Sequence, residues 1–303
     1  MQDHMMLSLE DLKRLADQFH DCLGQPVREF DIGGRQFHFN SQAHLMGVIN
    51  LSPDSWYRES VCLSTDQAIH RGRRLIAEGA DLVDVGAESS LFHAARADET
   101  TQSKKLLPII HGLFQAGVPV SVETYHPSVA EACLDAGASV LNLTGTTHTE
   151  DIFRMVAERQ CAVIVCYVEG DNVRSVADFS LENDMVVRME TWFSQKIEEA
   201  TRVGVTRIIL DPGLGFYYRN LQDSTVRVQY QMKTFLHTFR LRKLGWPICH
   251  ALPHAFEYFE DEVRCAEPFF AVLALLGKTD LLRTHEISKV RAVSRTLSLW
   301  QSP

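Results

Sequence analysis

From Leu45 onward the chain repeats one rhythm: a short apolar run, a polar loop, then a segment whose apolar residues recur at helical spacing. The apolar runs are LMGVIN (45–50), DLVDVGA (81–87), VPVSVET (118–124), ASVLNLT (138–144), CAVIVCYV (161–168), RIILDPG (207–213), PICHAL (247–252) and DLLRTHE (280–286). They are eight candidate strands, rich in β-branched residues, as the strands of a covered parallel sheet are. Helical spacing marks the segments between them: Ala68, Leu75 and Ile76 in one, Val129, Ala130, Cys133 and Leu134 in another, with further helices ending over 197–203 and 269–276. In EGADLV, AGVPVS, AGASVL, VGVTRI and LGWPIC a glycine stands between helix and next strand, where a left-handed cap is needed. Eight such units predict a closed (β/α)8 TIM barrel. An open doubly wound sheet is the alternative, but its G-x-G-x-x-G loop is missing after the first strand. Ahead of the barrel, the pattern predicts an amphipathic helix near 7–22 and a hairpin turning at Gly33-Gly34 in REFDIGGRQFHF. The expected division is an N-terminal helix and hairpin extension over 1–43 and a barrel over 44–303.

Composition narrows the function. The chain has 303 residues, of which 45% are hydrophobic and 23% charged, the balance of a folded protein and not of a disordered one. Thirty Lys+Arg against 39 Asp+Glu leave a net charge of −9. That argues against nucleic acid or an anionic membrane as partner, since both call for a basic field. Any anionic ligand must be held by a local pocket. The opening MQDHMMLSLEDLKRL is too charged for a signal peptide, and no apolar run is long enough to span a bilayer. Seven scattered cysteines without a C-x-x-C pair fit reduced thiols in the cytoplasm. The 13 histidines are dispersed and show no H-E-x-x-H; His250 and His254 straddle Pro253 and read as a loop feature.

In a barrel, functional side chains gather at the C-terminal ends of the strands. Asn50, Asp84 with Glu88, Glu123, Asn142, Asp211, and Arg283 with His285 all stand there. Several strands ending in polar groups at one face predict a shared polar pocket; the alternative is that these groups cap helices or bond one another.

MGVINLSPDSW (46–56), GADLVDVGAESS (79–90), SVET (121–124), LNLT (141–144), DPGLGF (211–216) and RTHEI (283–287) carry a resemblance. In this order and spacing, over about residues 44–290, they resemble the dihydropteroate synthase family. The resemblance implies the same barrel fold and a pocket for a reduced pterin. It also implies a transferase of folate-type biosynthesis that condenses a pterin methyl diphosphate with p-aminobenzoate or a similar aromatic amine, diphosphate leaving. The matched pterin residues are Asp84, Glu123 (where the family usually has Asp), Asn142, Asp211 and Phe216. Asp211 would accept from the pterin's amino and ring NH groups and Asn142 would serve its other edge. Asn50 matches the residue beside the diphosphate and its Mg²⁺, and Arg283 and His285 match the donors that grip the departing group. Ser90 falls on the loop for the second substrate. The family's late barrel helices imply a homodimer.

Two family segments are altered. The usual S-T-R-P-G is here Ser89-Ser90-Leu91-Phe92-His93, and the usual S-R-K falls on Pro253-His254-Ala255. An arginine and a lysine near the leaving group are thereby lost; His250 or His254 would replace part of the lysine's donor function, and Arg58, Arg96 and Arg219 are the alternative sources of positive charge. Three readings follow: a divergent synthase with an altered amine, a non-catalytic pterin-binding paralogue, or a pterin-dependent enzyme of another reaction.

Overall fold

The computed structural model describes residues 6–55, 57–88, 97–172, 175–176, 184–215 and 223–300. In chain order the strands are β1 (Phe30–Ile32), β2 (Arg35–Phe37), β3 (His44–Asn50), β4 (Leu82–Gly86), β5 (Val120–Thr124), β6 (Val140–Leu143), β7 (Ala162–Cys166), β8 (Gly170–Asn172), β9 (Ser175–Val176), β10 (Ile208–Asp211), β11 (Cys249–Ala251) and β12 (Leu281–Thr284). Eight of them form one parallel sheet in the order β10-β7-β6-β5-β4-β3-β12-β11. A parallel pairing of Leu210 with Ile248 joins its two ends and closes the (β/α)8 barrel that the periodicity predicts. The eight predicted runs and the eight barrel strands coincide.

The helices are α1 (Leu9–Gln18), α2 (Thr65–Glu78), α3 (Glu99–Gln115), α4 (Pro127–Asp135), α5 (Thr149–Glu158), α6 (Met185–Arg202), α7 (Ser224–His237), α8 (Phe256–Phe259), α9 (Ala266–Leu276) and α10 (Ile287–Leu297). Gly79, Gly117, Gly137, Gly204 and Gly245, the five punctuating glycines, all adopt positive φ. Left-handed backbone is what lets the chain leave a helix and re-enter the barrel within a few residues. The first helix stops at Gln18, and its predicted tail is a separate short turn at His20–Cys22. Both turn glycines of the β1–β2 hairpin, Gly33 and Gly34, have positive φ, as a tight two-residue connection requires.

Register sorts the strands into two faces, because side chains alternate and in-register partners share a side. Met46, Leu82, Val140, Ala162, Ile209, Cys249 and Leu281 fall on the face shared, further along, with Asn50, Asp84, Glu123, Asn142, Asp211 and Arg283. The barrel interior is therefore apolar below and polar at its C-terminal mouth. At the opposite end the hairpin supplies buried Phe30, Ile32 and Phe37, with Phe39 beyond it, and the Phe37 ring lies 4.5 Å from that of His44 at the foot of β3. Beside them Arg242 pairs with Asp280, whose other carboxylate oxygen accepts the Ile248 N–H at 2.8 Å.

Candidate active site

Five strands build one hydrogen-bonded network in the mouth. Arg283, on β12, donates through Nε to Asp84 Oδ2 and through Nη2 to Glu123 Oε2, each at 2.7 Å. Asp84 has no exposed surface and accepts further bonds from Ser121 Oγ at 2.6 Å and Asn142 Nδ2 at 3.1 Å. Asn142 in turn accepts from Cys166 Sγ at 3.2 Å. On β10, Asp211 accepts the Gly213 N–H at 2.7 Å.

One cation serves three carboxylates, and the electrostatics follow from that ratio. Burial pushes the Glu123 carboxyl up to about 7, with Arg283 opposing and Asp84 adding to the shift. Burial also lifts Asp211 to about 6, against the Gly213 hydrogen bond and Arg283. Among the described residues Glu123 Oε1 and Asp211 Oδ2 accept no hydrogen bond, so the network ends in acceptors short of donors.

A second group stands beside it, at the tips of β3 and β12. Asn50 donates through Nδ2 to Ser55 Oγ at 2.8 Å and Ser60 Oγ at 2.6 Å, and the same nitrogen lies 3.4 Å from His285 Nε2. The other ring nitrogen of His285, Nδ1, is 2.7 Å from Glu267 Oε1. Glu267 lies in the first turn of α9, is fully buried, and accepts through Oε2 from the His285 and Glu286 N–H groups at 2.9 and 3.1 Å and from the Thr284 hydroxyl. His254, from the loop after β11, brings Nε2 to 3.2 Å from Glu267 Oε1. The Tyr57 ring stacks on both imidazoles, with centroids 4.6 Å from His285 and 5.1 Å from His254, and its hydroxyl donates to Glu286. Burial lowers the His285 imidazole to about 4, Glu267 opposing, so it is neutral near pH 7.

The predicted residues thus fall into two groups. Asp84, Glu123, Asn142 and Arg283 are bonded together with Asp211 alongside; Asn50 and His285 meet separately. Arg283 and His285, two residues apart, engage different carboxylates. Glu88 turns away to the Tyr125 hydroxyl and the Ala97 N–H. Ser90 and Phe216 lie outside the described residues, as do Leu91 and Phe92. His250 sits outside the barrel lumen against Thr238 and Phe235, apart from the group that holds His254. Sequence reasoning missed Glu267, Tyr57 and Ser121. A lone acid in the apolar run AEPFFAVLALL was the available signal for Glu267, since a buried carboxylate demands partners.

Comparison with known proteins places this geometry. The profile of the family described as "Pterin binding enzyme" matches residues 46–252. The dihydropteroate synthase of Bacillus subtilis is 30% identical over 86% of this chain and 89% of its own length. That of Synechocystis sp. is 26% identical over 94% of this chain and 99% of its own. The Xanthomonas albilineans dihydropteroate synthase solved with 4-aminobenzoic acid superposes with a TM-score of 0.75 at 25% identity, covering 91% of this chain and all of that one.

Proposed function

The chain belongs to the dihydropteroate synthase family of pterin-binding enzymes, and from that premise we propose that it condenses a pterin methyl diphosphate with p-aminobenzoate or a closely similar aromatic amine. The observation that carries the reading is the convergence of Asp84, Glu123, Asn142 and Asp211 at the mouth, with acceptor oxygens left over. A pterin presents a flat edge of amino and ring NH donors, the complement of that surplus. Asp211 Oδ2 accepts from this edge. Asn142, held by Asp84 and Cys166, presents an amide of fixed orientation to the other edge. In this reading Phe216 packs on the ring and Ser90 belongs to the amine loop, on the sequence resemblance alone.

In the reaction the amine nitrogen forms a bond to the pterin methylene carbon, the carbon–oxygen bond to diphosphate breaks, and the amine loses a proton. Negative charge builds on the departing oxygens, so donors that tighten as the bond breaks accelerate the step. Arg283 is held by Nε and Nη2, which leaves Nη1 without a partner among the described residues and available to the anion. His285 and Asn50 stand beside it, at the tips of β12 and β3. Mg²⁺ is the cofactor the family match implies, and the donor set suits it. With Nδ2 of Asn50 committed to two hydroxyls, the amide oxygen is the hard ligand left for a cation that takes its remaining oxygens from diphosphate and water. Bound there, Mg²⁺ would neutralise leaving-group charge.

No helix among the described residues is long and apolar enough to cross a membrane. Seven scattered cysteines without a C-x-x-C pair support a reducing, cytoplasmic setting. Exposed Phe269 and Leu276 on α9 support a homodimer, testable by light scattering.

Calorimetry with a dihydropterin methyl diphosphate, followed by an assay of diphosphate release with p-aminobenzoate and Mg²⁺, tests the function. Binding in the micromolar range, weakened by Asp211→Asn and Asn142→Ala, and turnover are expected. Binding without turnover by any aromatic amine would shift the assignment to a non-catalytic pterin-binding paralogue, the reading favoured by the lost arginine and lysine. Absence of pterin binding overturns both.

A further inference from the structure

The two altered family segments carry no arginine or lysine of their own, and the structure holds a group suited to supply positive charge beside Asn50. Glu267 Oε1 faces His285 Nδ1 at 2.7 Å and His254 Nε2 at 3.2 Å, and the three ligand atoms all lie within 4.8 Å of one another. We propose that His254, Glu267 and His285 form a binding site for a borderline divalent transition-metal ion, Zn²⁺ being the best match, separate from the Mg²⁺ position at Asn50.

Four features carry the assignment. First, the donors are two imidazole nitrogens and one carboxylate oxygen, a set preferred by zinc and its neighbours and poorly matched to Mg²⁺. Second, the spacing is close to that of bound ligands. Atoms about 2.0–2.1 Å from a tetrahedral ion stand about 3.4 Å apart, against 2.7 and 3.2 Å for the two histidine nitrogens from Glu267 Oε1 here. Third, His254 Nε2 is buried without a hydrogen-bond partner despite its nearness to Glu267, because the contact lacks hydrogen-bond geometry. A buried imidazole nitrogen is costly in that state, and a lone pair directed at a metal resolves it. Fourth, the supporting shell is in place. Glu267 Oε2 is fixed by the Thr284 hydroxyl and two backbone N–H groups, leaving Oε1 to the site, and Tyr57 stacks over both imidazoles.

The site also changes what His285 offers to the reaction, a consequence that rests on the condensation reading. When Nδ1–H donates to Glu267, the neutral ring turns a lone pair at Nε2 toward Asn50. A metal on Nδ1 moves the ring proton to Nε2, so the same side chain faces the leaving group as a polarised donor. Two neutral imidazoles and one carboxylate carry −1; with a divalent ion the group carries +1. That partly replaces the cations lost with the two altered segments.

The test uses the full chain, stripped with chelator, and Co²⁺ as a spectroscopic probe, without pterin present. One Co²⁺ per chain is expected, with the visible d–d absorption of a low-coordinate ion, displaced by Zn²⁺ and retained in millimolar Mg²⁺. His254→Gln and Glu267→Gln should each weaken binding roughly a hundredfold or more, whereas Asn50→Ala should keep the band. Should Glu267→Gln fail to fold, His254→Gln, in a loop, decides alone. Substoichiometric binding, a band that survives His254→Gln, or one lost in Asn50→Ala overturns the proposal. Because pterin is absent, failure of the condensation reading leaves this result standing, and the reverse holds as well.

Discussion

The two ends of the barrel bury arginine–carboxylate pairs of opposite character. At the N-terminal end Arg242 meets one acid, Asp280, and spends its remaining donors on Asn40 Oδ1 at 3.0 Å and the Gln25 carbonyl at 3.1 Å. Asp280 takes the Ile248 N–H on its second oxygen. One cation answers one anion, and both oxygens of the acid are occupied. At the C-terminal end Arg283 is divided between Asp84 and Glu123, Asp211 stands nearby, and two carboxylate oxygens are left over. A closed circuit fastens the fold. An open one waits for a molecule that brings donors. The difference follows the general asymmetry of such barrels, in which the lower face holds and the upper face works.

Three substitutions break or sharpen that contrast. Arg242→Met leaves Asp280 buried without its cation and should lower unfolding free energy by about 3–5 kcal/mol, measured in urea, while pterin affinity of the folded protein stays unchanged. A comparable loss of affinity would mean the lower end is not purely structural. Asp211→Asn should reverse the balance. Pterin affinity should fall by about 1.5–3 kcal/mol, the worth of a hydrogen bond to a charged group, with stability at neutral pH unchanged or raised.

The third outcome concerns pH. Glu123 and Asp211 hold their protons in the folded chain up to about 7 and about 6, against 4.5 and 3.8 when unperturbed. Between those limits the folded state binds more protons than the unfolded one. Their contribution is fully present below about pH 4 and is lost as pH rises through 7. The ligand-free protein should therefore weaken by about 3 kcal/mol across this window relative to Glu123→Gln. Parallel stability–pH curves for the two proteins would show that Glu123 is satisfied without a ligand.

Much of this was legible in the chain because it is written locally. Strand runs alternate with helical spacing, and a glycine marks five of the turns that need left-handed backbone, Gln160 and Lys278 filling it at two others, so eight staves and their order follow from neighbours in sequence. Strand-end Asp84, Glu123, Asn142 and Asp211 were legible for the same reason. The partners were not. Arg283 and Glu123 are 160 residues apart, and only ring closure brings their tips together. Glu267 was hidden more deeply. It sits in an apolar helix, and its value comes from two backbone N–H groups of the β12 tip and two histidines from separate loops. No periodicity announces such a meeting. His254 illustrates the same limit: with His250 it reads as a loop feature, yet His250 lies on β11 against Thr238, and His254 alone reaches Glu267.

The ring is fastened between β10 and β11 by the Leu210–Ile248 pairing, with the Leu210 N–H reaching the Pro247 carbonyl at 2.9 Å. Like a hoop with one short weld, it should breathe there first, so the Leu210 amide should exchange with deuterium sooner than amides midway along β4 or β5. Asp211 rides on one lip of that weld. A ligand that grips it while touching the Arg283 side of the mouth would act as a brace across the gap, and slowed exchange at Leu210 would report occupancy without any chemistry taking place.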